Sequence, residues 1–303
     1  MWERFQGSAE GYSLGVFEGF TDEAIDVGDV TLRVRHGGEG PAVVLLHGHP
    51  RTGATWWQVA ERLAGTHTVV CPDLRGYGRS TLPDDEPDHA QSSKRAMAAD
   101  VVAVMRGLGH ERFAVAGHDR GALVAGRVAL DAPEAVERLV VMDGLPVIET
   151  LERADWRFAL DWWHFWFLGQ TDKPAERVIN ADPEAWYRVN GPEVMGEQAH
   201  AELWQALRDP AVVHGMCEDY RAGLTVDAEH SAADRDEGRR ITCPTLFLYA
   251  TRDDMEQIYG DPTAIWEPWV ESSLEGKPIE SGHHQSEEAP EQLSQVLLEF
   301  FAA

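Results

Sequence analysis

The residue best suited to covalent chemistry is Asp119, which lies in the motif GHDRG at residues 117–121. An apolar run at residues 113–116 precedes the motif and small apolar residues follow it at 122–126, a pattern that predicts a strand, a sharp turn and a helix. Such a turn, called a nucleophile elbow, exposes one side chain at the end of a strand. A carboxylate there can displace a leaving group from saturated carbon and leave an alkyl ester on the protein. The motif therefore predicts a substrate whose reacting carbon bears a halide or an epoxide oxygen.

A histidine and two aspartates could complete a catalytic set with Asp119. His283 lies in the motif SGHHQ at residues 281–285, where it could take a proton from water near neutral pH. Asp143 ends the predicted strand after the elbow, and Asp253 follows the strand before the His283 loop. Either carboxylate can reach the imidazole because the C-terminal ends of the strands converge. The order of residues alone leaves both open as the orienting acid.

The motif HGHP at residues 47–50 predicts an oxyanion hole. Gly48 would let the chain turn so that a backbone N–H faces Asp119. The N–H groups of His49 and Arg120 would then stabilise the oxyanion that forms when water attacks an ester on Asp119.

Alternating strands and helices must position these residues. Strands are predicted at residues 23–27, 30–35, 42–46, 68–71, 113–116, 136–142, 245–249 and 278–280, and helices at 54–64, 95–108 and 292–301. This alternation favours a mostly parallel sheet covered by helices on both faces, in the α/β class. Residues 145–240 are aromatic and helical in pattern, which predicts an inserted cap. We therefore expect a core domain, residues 1–144 and 241–303, and a helical cap domain, residues 145–240.

Composition limits the partners of the chain. Its 303 residues include 26 basic and 52 acidic ones, a formal net charge of −26 that disfavours nucleic acid and anionic membranes. No run approaches the roughly 18 consecutive apolar residues of a membrane span. The first residues lack the pattern of a signal peptide, and the three cysteines form no CxxC pair. We expect a cytoplasmic enzyme that acts on a small molecule.

No cofactor or metal ion is predicted. The side chains of His47, His49 and His118 have no recognised ligand spacing, and we expect them to be structural. The loop at residues 76–78 lacks the glycine spacing that holds phosphates, which argues against nucleotide binding.

Six segments resemble the haloacetate (fluoroacetate) dehalogenase group of α/β-hydrolases, over about residues 23 to 302. They are HGHPRTGATWWQVAERL, CPDLRGYGRS, GHDRGA, DWWHFWFLGQ, MCEDYRAG and SGHHQSEEAPEQ. The resemblance implies an eight-stranded α/β-hydrolase fold, an Asp119 that displaces halide, a water activated by His283, and a homodimer. It also favours Asp143 over Asp253 as the acid, because in that group the acid follows the strand after the elbow.

The resemblance assigns substrate-binding roles as well. Arg120 matches the first of two arginines that hold the substrate carboxylate, and His164 and Tyr220 match two of three halide ligands. Two positions depart from the group: Leu123 replaces the second arginine, and Phe165 replaces the halide-binding tryptophan.

Both departures remove polar contacts. Leu123 lies four residues after Asp119 and so shares its helix face, where loss of an arginine forfeits a charge-assisted hydrogen bond of roughly 1.5–3 kcal/mol. Phe165 keeps an aromatic ring but has no N–H donor. We expect the mechanism of the group to act on a less charged, more apolar substrate.

Two other functions use the same residues. An epoxide hydrolase would need acids for the opening oxygen, usually two tyrosines of the cap, and Tyr187 and Tyr220 are the only tyrosines in residues 145–240. His164 stands where the second tyrosine is expected. A non-catalytic binding protein with a hydrolase fold would have a broken catalytic set, whereas Asp119, His283 and both acids are present.

Overall fold

The computed structural model describes residues 16–171 and 174–303. Eight strands form one sheet in the order β1-β2-β4-β3-β5-β6-β7-β8. The strands are β1 (Thr21–Asp26), β2 (Thr31–Gly37), β3 (Ala42–Leu46), β4 (Thr68–Pro72), β5 (Phe113–His118), β6 (Val136–Met142), β7 (Thr245–Ala250) and β8 (Leu274–Ile279). β2 runs antiparallel to β1 and β4. The strands β4, β3, β5, β6, β7 and β8 run parallel to one another. The predicted α/β fold with a mostly parallel sheet is confirmed.

The central strands are mostly apolar because helices cover both faces of the sheet. Every residue of β3 and β5 is buried. One face packs against α2 (Lys94–Gly107) and α3 (Arg120–Asp131), and the other against α1 (Trp57–Leu63) and α16 (Pro290–Ala302). Two separate apolar cores hold the sheet rigid, so the C-terminal strand ends are fixed in relation to one another.

The strand β8 is longer than the sequence predicts, since it begins at Leu274 and not at residue 278. It lies at the edge of the sheet, and most of its residues before Ile279 are partly or fully exposed. An exposed edge strand lacks the continuous apolar run by which buried strands are recognised. A short 3₁₀ turn, Gly53–Trp56, also precedes α1 where one helix was predicted.

The chain between β6 and β7 is helical in the residues that the structure describes. Its helices are α4 (Val147–Glu152), α5 (Trp156–Asp161), α6 (His164–Leu168), α7 (Ala175–Ala181), α8 (Pro183–Trp186), α9 (Pro192–Met195), α10 (Glu197–Leu207), α11 (Pro210–Leu224) and α12 (Val226–Asp236). Three short helices complete the fold: α13 (Met255–Tyr259), α14 (Pro262–Trp266) and α15 (Gln285–Glu288). Among the described helices, none has the length and apolar character needed to cross a membrane.

Candidate active site

Asp119 lies at a strained turn between β5 and α3. Its backbone has φ 54° and ψ −121°, a conformation that side chains other than glycine rarely adopt. The turn is tight because a Cβ at Gly117 would overlap the carbonyl oxygen of Gly121, and one at Gly121 would overlap that of His47. The strain holds the Asp119 side chain at the C-terminal edge of the sheet, as the elbow motif predicts.

The loop after β3 approaches Asp119 closely. A Cβ at Gly48 would lie 2.5 Å from the Cβ of Asp119, and nearer still to its Oδ1, so that only glycine fits. The backbone N–H of His49 donates a hydrogen bond of 2.7 Å to Asp119 Oδ1. Arg120 begins α3, where the helix dipole adds positive potential near the same carboxylate. The structure thus brings together the two residues predicted to form the oxyanion hole.

The imidazole of His283 lies between Asp119 and the two candidate acids. Its Nε2 is 3.9 Å from Asp119 Oδ2, and its Nδ1 is hydrogen-bonded to Asp253 Oδ2 at 2.7 Å. Asp143 Oδ2 is 3.8 Å from the same Nδ1. Burial lowers the pKa of His283, but the hydrogen bond to Asp253 and the charges of the three carboxylates outweigh it and raise the pKa to about 10.

The two acids differ in their surroundings. Asp143 is fully buried, and its carboxylate accepts hydrogen bonds from the Ala250 N–H at 3.0 Å and from Gln285 Nε2 at 2.8 Å. Burial raises the pKa of Asp143 to about 7. Asp253 is partly exposed, and although burial raises its pKa, its hydrogen bond with His283 and the charge of His283, with smaller contributions, together lower it more. The resemblance favours Asp143 as the acid, whereas Asp253 is the residue that is hydrogen-bonded directly to His283.

The raised pKa of Asp143 makes stability depend on pH. The folded protein holds this proton up to about pH 7, whereas an unfolded chain loses it near the ordinary value of 3.8. The proton therefore contributes stability below about pH 4, and this contribution is lost as the pH rises through 7. We expect Asp143→Asn, which cannot ionise, to raise Tm relative to the wild type by at least about 3 °C more at pH 8 than at pH 5. Thermal unfolding of both proteins at the two pH values measures this, and an equal difference at both would contradict it.

Asp119 and His283 open into a cavity of about 240 Å³. The cavity also contains Arg120, Leu123, Asp143, Gly144, Leu145, Val147, Thr150, Leu151, Asp161, Trp162, His164, Phe165, Tyr220, Gly223, Leu224, Asp253 and Asp254. Every substrate-binding residue predicted from the resemblance is among them. Sequence reasoning identified Asp143 and Asp253 but missed the other two acidic residues, Asp161 and Asp254.

His164, Phe165 and Tyr220 form one wall of the cavity. The ring centroids of His164 and Phe165 lie 5.9 and 5.2 Å from that of Tyr220. Burial lowers the pKa of His164 to about 4, so that the imidazole is neutral near pH 7. Trp162 stacks on Phe165, but its indole N–H donates to Asp254 at 2.8 Å. Trp162 therefore does not supply the N–H donor that Phe165 lacks.

The guanidinium of Arg120 is bound to a buried aspartate that the sequence analysis missed. Its Nε donates to Asp219 Oδ2 at 3.1 Å, and its Nη2 donates to Asp219 Oδ1 at 2.8 Å and to the Asp219 carbonyl at 2.7 Å. The Tyr77 hydroxyl and Lys94 Nζ also bind this carboxylate. Burial raises the pKa of Asp219, but Arg120 and Lys94 outweigh it and hold the pKa well below its usual range. The only sequence signal was the position of Asp219 beside Tyr220.

Three groups of side chains in the described residues are close enough to share a metal ion. Two of them contain His283, with Asp143 and Asp253 or with His118 and His284, and the third is Asp85, His214 and Glu218. The Nδ1 of His283 is already committed to Asp253, and Glu218 binds Arg221. Of the histidines predicted to be structural, His47 bonds to the Leu74 N–H and His49 packs against Tyr220.

Known proteins with similar sequence and structure identify the family. The sequence model of the α/β-hydrolase fold matches residues 41–188. A fluoroacetate dehalogenase from Burkholderia sp. is 40% identical over 294 residues, which are 95% of this chain and 95% of the relative. A soluble epoxide hydrolase from Corynebacterium sp. is 32% identical over 275 residues, 88% of this chain and 91% of the relative. A crystal structure of a candidate α/β hydrolase from Nostoc sp. has a TM-score of 0.90 at 38% identity, and the match covers 94% of this chain and 99% of that one.

The chain therefore belongs to the α/β-hydrolase family. Within that family it falls in the haloacetate dehalogenase-like group, as its motifs predict, and it also has epoxide hydrolases among its relatives.

Proposed function

We propose that the protein hydrolyses carbon–halogen bonds through an alkyl ester formed on Asp119. The observation that carries this proposal is the position of the Asp119 carboxylate between two groups with different roles. Oδ1 accepts the backbone N–H of His49 at 2.7 Å, and Oδ2 lies 3.9 Å from Nε2 of His283. Both side chains line the cavity, so a substrate carbon and a water molecule can reach them.

In the first step, Asp119 Oδ2 attacks the carbon that bears the halogen. The new carbon–oxygen bond forms as the carbon–halogen bond breaks, and the halide leaves with the bonding electrons. His164 and Tyr220 line the same cavity and can donate an N–H and an O–H to the departing halide. We assign them this role.

In the second step, water hydrolyses the ester. His283 Nε2 takes a proton from water, and the resulting hydroxide adds to the ester carbonyl carbon. The N–H groups of His49 and Arg120 stabilise the negative charge on Oδ1. The bond from the carbonyl carbon to Oδ2 then breaks, the alcohol leaves with Oδ2 and the proton held by His283, and the new carboxylic acid of Asp119 loses its proton to solvent.

We assign Asp253 as the residue that orients His283, because its carboxylate bonds Nδ1 at 2.7 Å. Asp143 then stabilises the loop that carries His283, through its hydrogen bond with Gln285. We also propose that residues 145–240 form a cap on a core of residues 1–144 and 241–303. The cavity supports this division, since Asp119 and His283 come from one part and His164 and Tyr220 from the other.

The geometry favours halide displacement over epoxide opening. Opening an epoxide requires acids that protonate the ring oxygen. The hydroxyl of Tyr187 is directed to Met216 Sδ at 3.5 Å, and Tyr187 is not among the residues that line the cavity. Tyr220 is then the single tyrosine hydroxyl available at Asp119 among the described residues, and His164 is neutral.

A screen of organohalides and epoxides first identifies a compound that the protein converts to product. A single turnover of that compound in H₂¹⁸O then tests the proposal. The wild-type protein should release halide, and the first alcohol formed should carry ordinary oxygen, because that oxygen comes from Asp119. The heavy oxygen should appear in the peptide that contains Asp119. Release of no halide from any compound, or heavy oxygen in the first alcohol, would refute the proposed function.

A further inference from the structure

Six apolar side chains, together called the hydrocarbon wall, line the cavity. They are Leu123, Leu145, Val147, Leu151, Phe165 and Leu224. Leu123 lies one turn of α3 beyond Asp119 and is partly exposed to the cavity. A cavity of about 240 Å³ approaches the roughly 300–1,000 Å³ of sites that bind drug-sized ligands, so it has room for several carbon atoms beyond the reacting one.

The positive charge of Arg120 is already balanced. Within the described residues, Arg120 and His283 are the only cationic side chains that line the cavity, since His164 is neutral. The Nε and Nη2 atoms of Arg120 bind the carboxylate of Asp219, which is fully buried. A bidentate pair of this kind uses the donors that would otherwise hold a substrate carboxylate.

Carboxylates outnumber cations around the cavity. Beside the nucleophile Asp119, the cavity contains Asp161, Asp253 and Asp254, as well as Asp143, which is partly protonated near pH 7. A substrate that carries its own carboxylate would be repelled by the ionised carboxylates, and like charges in a partly desolvated site cost more than in water. An uncharged molecule avoids this cost and gains from contact with the hydrocarbon wall.

We propose that the substrate is an uncharged, largely apolar organohalide and not a haloacetate, because the cavity combines a hydrocarbon wall with several carboxylates and an arginine neutralised by Asp219. This inference rests on the proposed function, since it assumes that Asp119 displaces halide.

The test compares 1-bromobutane with bromoacetate, which has the same number of heavy atoms but a negative charge. The value of kcat/KM for each compound is divided by the rate of its reaction with acetate ion in water, because a carboxylate changes the reactivity of the adjacent carbon. The wild-type protein should favour 1-bromobutane at least about tenfold, as an extra cost of about 1.4 kcal/mol implies. A preference for bromoacetate would overturn the inference.

Variants of Leu123 test whether charge is the cause. Leu123→Arg should shift the ratio toward bromoacetate by about 100-fold, whereas Leu123→Met, which adds no charge, should retain the preference for 1-bromobutane. Val178→Arg adds the same charge at an exposed site on α7, outside the cavity, and should leave the ratio unchanged. If Leu123→Arg is folded, as judged by its Tm, and its ratio equals that of the wild type, the result would count against the inference.

The results distinguish a failure of the proposed function from a failure of the substrate assignment. If no variant and no wild-type sample releases bromide from either compound, the proposed function is wrong. If bromide is released and bromoacetate is the better substrate, the reaction stands and the assignment of an uncharged substrate is wrong.

Discussion

Asp119→Asn and His283→Gln are each expected to abolish turnover, but at different points of the reaction. In Asp119→Asn no halide should be released, because an amide is a poor nucleophile toward saturated carbon. In His283→Gln each protein molecule should release one halide and then stop, because glutamine cannot take a proton from water. Steady-state kcat should fall by at least about 10³-fold in both variants.

Rapid-quench halide measurement and intact-protein mass spectrometry separate the two cases. His283→Gln should gain the mass of the substrate's alkyl group in the peptide that contains Asp119, and Asp119→Asn should gain none. His284→Gln provides a matched control, since it removes the neighbouring histidine and should retain repeated turnover. Repeated halide release by Asp119→Asn, or a halide burst without an adduct in His283→Gln, would contradict the mechanism.

In the proposed mechanism, the charge of Asp119 explains why His283 acts as a base only in the second step. In the free protein, negative charge on Asp119 contributes to the raised pKa of His283 and keeps the imidazole protonated near pH 7. Formation of the ester would remove that charge, so the pKa of His283 would fall and the imidazolium would release its proton to solvent more readily. The ester would therefore favour the neutral base that hydrolyses it.

The sequence predicts the positions of the reacting residues because their signals are local. The elbow needs Gly117 and Gly121 within two residues of Asp119, and the oxyanion loop needs Gly48 where the chain meets that carboxylate. The apolar strands β3 and β5, which lie side by side, fix both loops at one edge of the sheet. Short-range sterics and burial are enough to place these elements.

The partners of those residues depend on distant parts of the chain and could not be predicted. Arg120 and Asp219 are 99 residues apart, and their pairing decides whether the guanidinium is free for a substrate. In the aromatic segment at residues 156–167, Trp162 and Phe165 line the cavity while Trp163 and Trp166 are exposed. Composition cannot separate these, because the face that each helix presents is set by tertiary packing.

Asp143 and Asp253 differ by about one ångström in their distance from His283 Nδ1, and the sequence does not contain this difference. Asp253 lies at 2.7 Å and Asp143 at 3.8 Å. Asp253→Asn should therefore reduce the rate of ester hydrolysis by about 10²–10⁴-fold, because it removes the charge that orients and stabilises the imidazolium. Asp143→Asn should reduce it less than about tenfold, because asparagine still accepts the Ala250 N–H and the Gln285 amide can turn to accept its N–H.

The dependence on pH separates orientation from a general loss of structure. Asp253 contributes to the high pKa of His283 through both its hydrogen bond and its charge, so Asp253→Asn should lower the apparent pKa of ester hydrolysis as well as its maximum rate. Asp143 acts on the same imidazole through charge alone, and its variant should shift this pKa less. Single-turnover rates of ester breakdown across pH 5–10 measure both quantities. If Asp143→Asn causes the larger loss of rate and the larger shift of this pKa, the orienting role belongs to Asp143, the acid that the resemblance favours. Asp253 would then be only a residue that lines the cavity.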